Sequence, residues 1–390
     1  MKQKISNAIK YVKPLYVIYY HVMSLFINLI KLVVKPNDKL ILFNSFAGRN
    51  FDDSPKAVFD YMIRDDRFKN YELVWAFHNP ESFKIQGGKK VKTDTLAYFV
   101  TALKARVWIT NSSVERGLNF KGKDTLYLNT WHGTPMKKMG DDLNIKNKSF
   151  SNKGRNHFDL MTVQSNFEAD VFSKVFHIPR KQFLEVGLPR NDRLAVFSLN
   201  EKERIRRMLG LPDDKKIILY APTFREFEKD RNMGCVLALP FDINKWKQLL
   251  ACDYVLLFRA HYEVVKTMGI TDNEFVRNVT KYPVLNDLLI VSDILISDYS
   301  SVFFDFSIMN KCMFYFTYDY EKYSKERGLY FDIREYLSGG ATEDELIHLL
   351  QNLDEEYEIN RTAKFREKYI DFYGDATKKT IDCIAAKLGI

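Results

Sequence analysis

The residues best able to do chemistry in this chain sit just after short apolar runs. Residues 125–140 read TLYLNTWHGTPMKKMG. The apolar run 126–128 stops at polar residues; Trp131, His132, Gly133, Thr134 and Pro135 follow, then two lysines and Gly140. This spacing predicts a strand ending in a tight loop. In open α/β sheets ligands bind beside the carboxyl ends of strands. Glycine lets backbone approach closely, and a histidine placed there can exchange protons near neutral pH. A second histidine, His261, follows the run 254–259 (YVLLFR), which ends in Arg259. The other five, His21, His78, His157, His177 and His348, lack such a setting and read as structural.

Three further loops carry suitable residues. Ser297, Asp298, Tyr299, Ser300 and Ser301 lie between an apolar strand and the start of a helix. Their hydroxyls, with the first amides of that helix, make an anion site able to hold a diphosphate without a metal. An N-cap explains one such residue; several hydroxyls around one helix start exceed that need. After the run 216–220, Thr223 and Arg225 follow Ala221 and Pro222, and a guanidinium can pair with phosphate in bidentate fashion. A surface arginine at a strand end is the plainer alternative. In the turn 187–192 (GLPRND), Arg190 and Asp192 read either as a hinge ion pair or as ligand contacts. No DxD, HExxH or carboxylate cluster stands at metal-ligand spacing, so neither a metal nor a cofactor is expected.

These loops need strands and helices to hold them, and the sequence supplies both in alternation. Apolar runs at 40–43, 71–77, 107–110, 126–128, 160–163 and 183–186 read as strands, with helices at 54–64, 96–104 and from 165 to about 176. The pattern restarts after a polar helix at 200–209. Strands are expected at 216–220, 254–259, 293–296 and 313–316, with helices at 285–291 and 302–309. Alternation of this kind predicts parallel, doubly wound sheets. The 390 residues suffice for two domains, expected as 37–195 and 196–390, with a C-terminal helix packing back on the first. Cys235, Cys252, Cys312 and Cys383 show no CxxC spacing and suit a reducing compartment.

Charge is uneven. Of the net +9, residues 1–40 hold +6, from seven lysines including Lys2, Lys4, Lys10, Lys13, Lys31 and Lys35 against Asp38. Residues 15–34 are mostly apolar, and His21, Ser24, Asn28 and Lys31 recur at helical steps. Residues 1–36 therefore read as a basic amphipathic segment lying on an anionic membrane surface; a spanning helix and a core helix are the alternatives. No RNP motif, zinc finger or long basic helix accompanies the charge, which argues against nucleic acid.

Taken in order, Trp131-His132-Gly133-Thr134-Pro135, the 187–192 turn, 221–225, Arg259-Ala260-His261, and 297–301 continuing through Phe304-Asp305-Phe306 resemble the CDP-glycerol glycerophosphotransferase family of teichoic acid synthesis, across roughly residues 40–335. The resemblance implies a GT-B fold, two Rossmann-like domains facing across a cleft, attached peripherally to the cytoplasmic face of the cell membrane. It implies transfer of glycerol phosphate from CDP-glycerol to a lipid-linked teichoic acid precursor, with release of CMP. His132 and His261 match the family's essential histidines. Thr223, Arg225, Arg259, Ser297, Asp298, Ser300 and Ser301 match its donor side. Trp131, Gly133, Thr134, Arg190 and Asp192 are expected around the acceptor. The chain has the length of the family's short members, primases or short polymerases, and a homo-oligomer is compatible with it. A CDP-ribitol or capsule-type polyol-phosphate transferase, a GT-B hexosyltransferase and a non-catalytic nucleotide-binding scaffold are the rival readings.

Overall fold

Continuous runs of branched and aromatic residues make strands that are buried on both faces, which is what a parallel sheet covered by helices requires. The computed structural model describes residues 13–143, 157–225, 235–260, 264–268 and 270–390. The expectations for Lys2, Lys4, Lys10, the Lys13 side chain and His261 fall outside what is described. The described chain divides into two compact units. They are not contiguous halves. The first takes residues up to His132, then Ile145–Asp192 and Asp375–Ile390; the second takes Gly133–Asn144 and Arg193–Gly374.

In the first unit, β1 (Asn37–Asn44), β2 (Glu72–Phe77), β3 (Lys89–Lys92), β4 (Ala105–Thr110), β5 (Leu126–Asn129), β6 (Leu160–Val163) and β7 (Phe183–Glu185) form one sheet. Its order is β3-β2-β1-β4-β5-β6-β7, parallel throughout. The chain winds outward from β1 to β3, then restarts at β4 on the other side. The gap between the ends of β1 and β4 is therefore the switch point, where such sheets bind ligands. Beneath it, Phe43 stacks on Trp75 at 5.6 Å and meets Phe59 edge-on at 5.3 Å. Ile381 and Ile384 of the helix Ala376–Leu388 complete this core. Each such buried side chain contributes about 1.5–3 kcal/mol. Asp192 holds the same helix, accepting from the amides of Ala376 (2.8 Å) and Thr377 (2.7 Å).

The helix Lys13–Lys31 packs on this unit by its polar stripe, an inversion of the usual amphipathic arrangement. Asn28 donates to the Asn119 carbonyl (2.8 Å), the Asn119 amide donates to Ser24 (3.2 Å), and Tyr16 donates to the Gly117 carbonyl (3.4 Å). Lys31, expected at a membrane surface, instead donates its ammonium to the Lys121 carbonyl (2.9 Å). Ile27 is buried, but most of the apolar face is turned out: Ile18, Val22, Leu25, Phe26 and Leu29 are all more than half exposed. Among the described residues no helix is long and apolar enough to cross a membrane.

In the second unit, β8 (Lys216–Tyr220), β10 (Tyr254–Phe258), β12 (Val276–Asn278), β13 (Ile294–Ser297), β14 (Cys312–Phe316) and β15 (Ser338–Gly340) form a parallel sheet in the order β12-β10-β8-β13-β14-β15. Between them in sequence, β9 (Cys235–Ala238) and β11 (Val264–Met268) pair as a separate two-stranded ribbon. The switch point here lies between β8 and β13. The loops leaving those strands are 221–225 and 297–301.

Candidate active site

His132 owes its position to the loop after β5. Trp131 adopts φ 50° and Gly133 φ 145°, the second a conformation that favours glycine. Trp131 stacks on the His132 ring at 4.4 Å and is wedged against Phe172 (5.3 Å) and Phe176 (5.0 Å). Its amide donates to the Asn129 side-chain oxygen at 2.7 Å. On the far side of the imidazole lies Phe46, 5.8 Å away. Phe46, Ala47 and Asp53 also have positive φ, at 45°, 57° and 68°. Non-glycine residues rarely sit there, at a cost of about 1–3 kcal/mol each. The strain gathers around the ends of β1 and β5.

The protonation state of His132 follows from one contact. Its Nδ1 lies 2.8 Å from the backbone carbonyl of Asn111, which follows β4. A carbonyl only accepts, so Nδ1 carries a proton, and in the neutral ring the lone pair is on Nε2. His132 is exposed, yet protein packed around the ring strips hydration from it. That loss of hydration holds its pKa below the ordinary 6.5, with the Asn111 bond and Asp53 opposing and Arg190 reinforcing. The imidazole is a neutral base at pH 7.

Arg190 and Asp53 form a largely buried pair at 2.7 Å, and the Arg190 amide donates to Ser54 (3.3 Å). The hinge pair considered between Arg190 and Asp192 does not form: Arg190 takes Asp53, and the Asp192 carboxylate is occupied as the cap described above. Asp192 thus caps the C-terminal helix. Thr134 is buried at the start of the second unit.

The donor-side residues form a tight network within the second unit. The Asp298 carboxylate accepts from the amides of Thr223 (2.8 Å) and Tyr299 (2.7 Å) and from Arg225 Nη1 (2.8 Å). Ser297 donates to the Ala221 carbonyl at 2.7 Å. These bonds tie loop 221–225 to loop 297–301. Arg225 was expected to fork a phosphate, but its fork closes on Asp319, Nε to Oδ2 at 2.7 Å and Nη2 to Oδ1 at 2.9 Å. Its side chain is only 3% exposed, with the guanidinium 5.0–5.3 Å from the rings of Tyr299, Tyr318 and Tyr323. Burial works against its charge, but Asp298, Tyr318 and Asp319 outweigh burial and raise its pKa. Burial, then Asp319 and Asp298, push the Tyr299 hydroxyl up, so it stays protonated and donates to Asp319 (3.1 Å).

Other donor-side residues are more open. Ser300 and Ser301 are half-buried at the start of the helix Val302–Ser307, where Ser300 Oγ accepts from the Val302 amide at 3.3 Å. Thr223 is buried, and its hydroxyl has no partner among the described residues. Arg259 directs Nη1 to the Tyr282 carbonyl at 2.7 Å. Sequence reasoning missed Asp53, Asn111 and Asp319. Asp319 stands just past β14, beside β13 in the sheet, and that strand-end position is the signal that could have found it.

Two doubly wound parallel units, each with its polar loops gathered at a switch point, define a ligand-binding α/β protein. The chain belongs to the CDP-Glycerol:Poly(glycerophosphate) glycerophosphotransferase family, which it matches over residues 26–385. Glycerophosphotransfer from CDP-glycerol in teichoic acid synthesis is the activity of that class. It is 35% identical over 357 residues to the teichoic acid poly(glycerol phosphate) polymerase of Staphylococcus epidermidis, covering 87% of this chain and 48% of that protein. The chain thus spans about half of that relative. With the teichoic acid glycerol-phosphate transferase of Staphylococcus aureus it shares 34% identity over 352 residues, 85% of this chain and 89% of that one. A solved structure of the wall teichoic acid polymerase TagF, a histidine variant soaked with CDPG, superposes with TM-score 0.84 at 30% identity, covering 93% of this chain and 92% of that one.

Proposed function

We propose that this chain transfers glycerol phosphate from CDP-glycerol to a hydroxyl of a lipid-linked teichoic acid precursor, releasing CMP, as a GT-B enzyme with His132 as general base. The observation that carries this reading is the Nδ1 contact to the Asn111 carbonyl, which puts the proton of the neutral ring on Nδ1 and makes Nε2 the atom that takes a proton. The acceptor hydroxyl attacks the glycerol-bearing β-phosphorus in line as its proton passes to Nε2. The bond from that phosphorus to the bridging oxygen breaks, and CMP leaves with the electron pair. Positioning and electrostatics carry most of the rate in such transfers.

On the donor side, Ser300 and Ser301 contact the diphosphate, and the buried Thr223 holds its loop through the amide bond to Asp298. Arg225 acts through Asp298 as a positioning residue, since its donors are already engaged. His261, which matches the family's second essential histidine, is assigned to stabilise the departing CMP. Arg190 and Asp53 hold the floor beside His132.

The outward apolar face of Lys13–Lys31 supports a peripheral, monotopic seat on the cytoplasmic face of the membrane, with Lys35 at its exposed end. Membrane burial would satisfy side chains that water leaves bare. The test of the catalytic assignment is CMP release with acceptor present. His132→Ala should lower turnover by about 10²–10⁴-fold while CDP-glycerol still binds. Wild-type CMP release from that variant would remove His132 from the mechanism.

A further inference from the structure

The charge balance under the donor loops is unexpected for an anion site. Arg225 is shared by two carboxylates, Asp298 and Asp319, so this buried cluster carries one net negative charge. Its Nη1 also donates to the Thr223 carbonyl at 2.6 Å. A diphosphate placed above it meets no positive charge from Arg225 beyond what the two carboxylates cancel. A cation outside this cluster would complement that donor.

The segment directly after His132 supplies one. Residues Gly133–Asn144 belong to the second unit, where Lys137 bridges antiparallel to Leu329. The flanking bonds are Tyr330 amide to Met136 carbonyl (2.9 Å) and Lys138 amide to Gly328 carbonyl (3.0 Å). Neighbouring residues of extended backbone point to opposite faces, which separates the two lysines. The Lys138 side chain lies against Gly328, whose added Cβ would meet Lys138 Cδ at 2.8 Å. Lys137 goes the other way, its ammonium 6.0 Å from the ring centre of Phe224. Phe224 lies between Thr223 and Arg225, in the donor loop itself.

We propose that Lys137 is a donor-binding residue whose ammonium faces the diphosphate of the nucleotide donor. The inference rests on the CDP-glycerol reading above. It gives the two lysines after the His132 turn different tasks, Lys137 in donor binding and Lys138 in packing.

The test is binding and turnover of CDP-glycerol by the full chain, with CMP as the comparison ligand. Lys137→Met keeps the apolar stem over Phe224 and removes the charge. It should raise Kd and KM for CDP-glycerol about 10–100-fold, the loss expected for a hydrogen bond to a charged group. Affinity for CMP, with its single phosphate, should fall less. Lys137→Arg should recover most of the loss, and Lys138→Met should stay within about twofold of wild type at the same net charge as Lys137→Met. If Lys137→Met leaves Kd and KM unchanged, Lys137 merely stacks on Phe224 and the proposal is wrong. Equal losses from both lysines would also overturn it, because bulk charge would then explain them. Should Lys137→Met fold poorly, Lys137→Gln decides by the same CDP-glycerol to CMP ratio. A wild-type protein that binds no CDP-glycerol overturns the donor reading itself, and this proposal with it.

Discussion

At the scale of single residues, the account turns on His132 being neutral and correctly oriented. The Asn111 carbonyl settles the tautomer, and the packed ring disfavours the imidazolium. The sign of the pH effect follows. Protonating Nε2 removes the base, so kcat/KM falls on the acid side, about tenfold per pH unit. Because the pKa is lowered, the acid limb is centred below 6.5, the ordinary imidazole value. A pH–rate profile of the wild-type chain checks this, and an acid limb centred above 6.5 would contradict it. Trp131 and Gly133 matter through the same residue, since their backbone angles aim the imidazole.

At the scale of elements, the central device is the brace between the loops after β8 and β13. Arg225, Asp298 and Asp319 form a buried network around which Tyr299, Tyr318 and Tyr323 are packed. Removing one member leaves uncompensated charge, which costs about 3–5 kcal/mol. Arg225→Ala should therefore lower the denaturant midpoint substantially, and Arg225→Lys, which lacks the planar fork, should recover only part of the loss. A near-wild-type midpoint for Arg225→Ala would contradict the brace. Sequence alone shows this region only in part. The loops bearing Thr223, Asp298 and His132 are legible because each follows an apolar run, and parallel strands must be apolar on both faces. Asp319 is not, because its partners are remote in sequence. Likewise β3, with the sequence KKVK, carries no apolar run; it is an edge strand, where lysines are at home. The helix periodicity at 15–34 is legible too, but not its direction. A polar stripe looks the same whether it meets water or the carbonyls of residues 117–121.

At the scale of the whole molecule, the exposed apolar face of Lys13–Lys31 and the proposed transfer to a lipid-linked acceptor fit together, since such an acceptor would be reached from a membrane surface. Replacing Leu25, Phe26 and Leu29 together by Ser should release the protein from anionic vesicles in a flotation assay, while thermal stability stays near wild type because those side chains are more than half exposed. Retention on the vesicles would move the anchor elsewhere. The most direct test of the central claim follows product and leaving group together. The full chain is incubated with CDP-glycerol and a lipid-linked disaccharide, with and without a first glycerol phosphate, and products are weighed by mass spectrometry while nucleotides are resolved by chromatography. The account predicts acceptor mass rising in steps of one glycerol phosphate, with one CMP released per step and the rate of both about 10²–10⁴-fold lower for His132→Ala. Release of CDP, or CMP formed without any gain in acceptor mass, would contradict it.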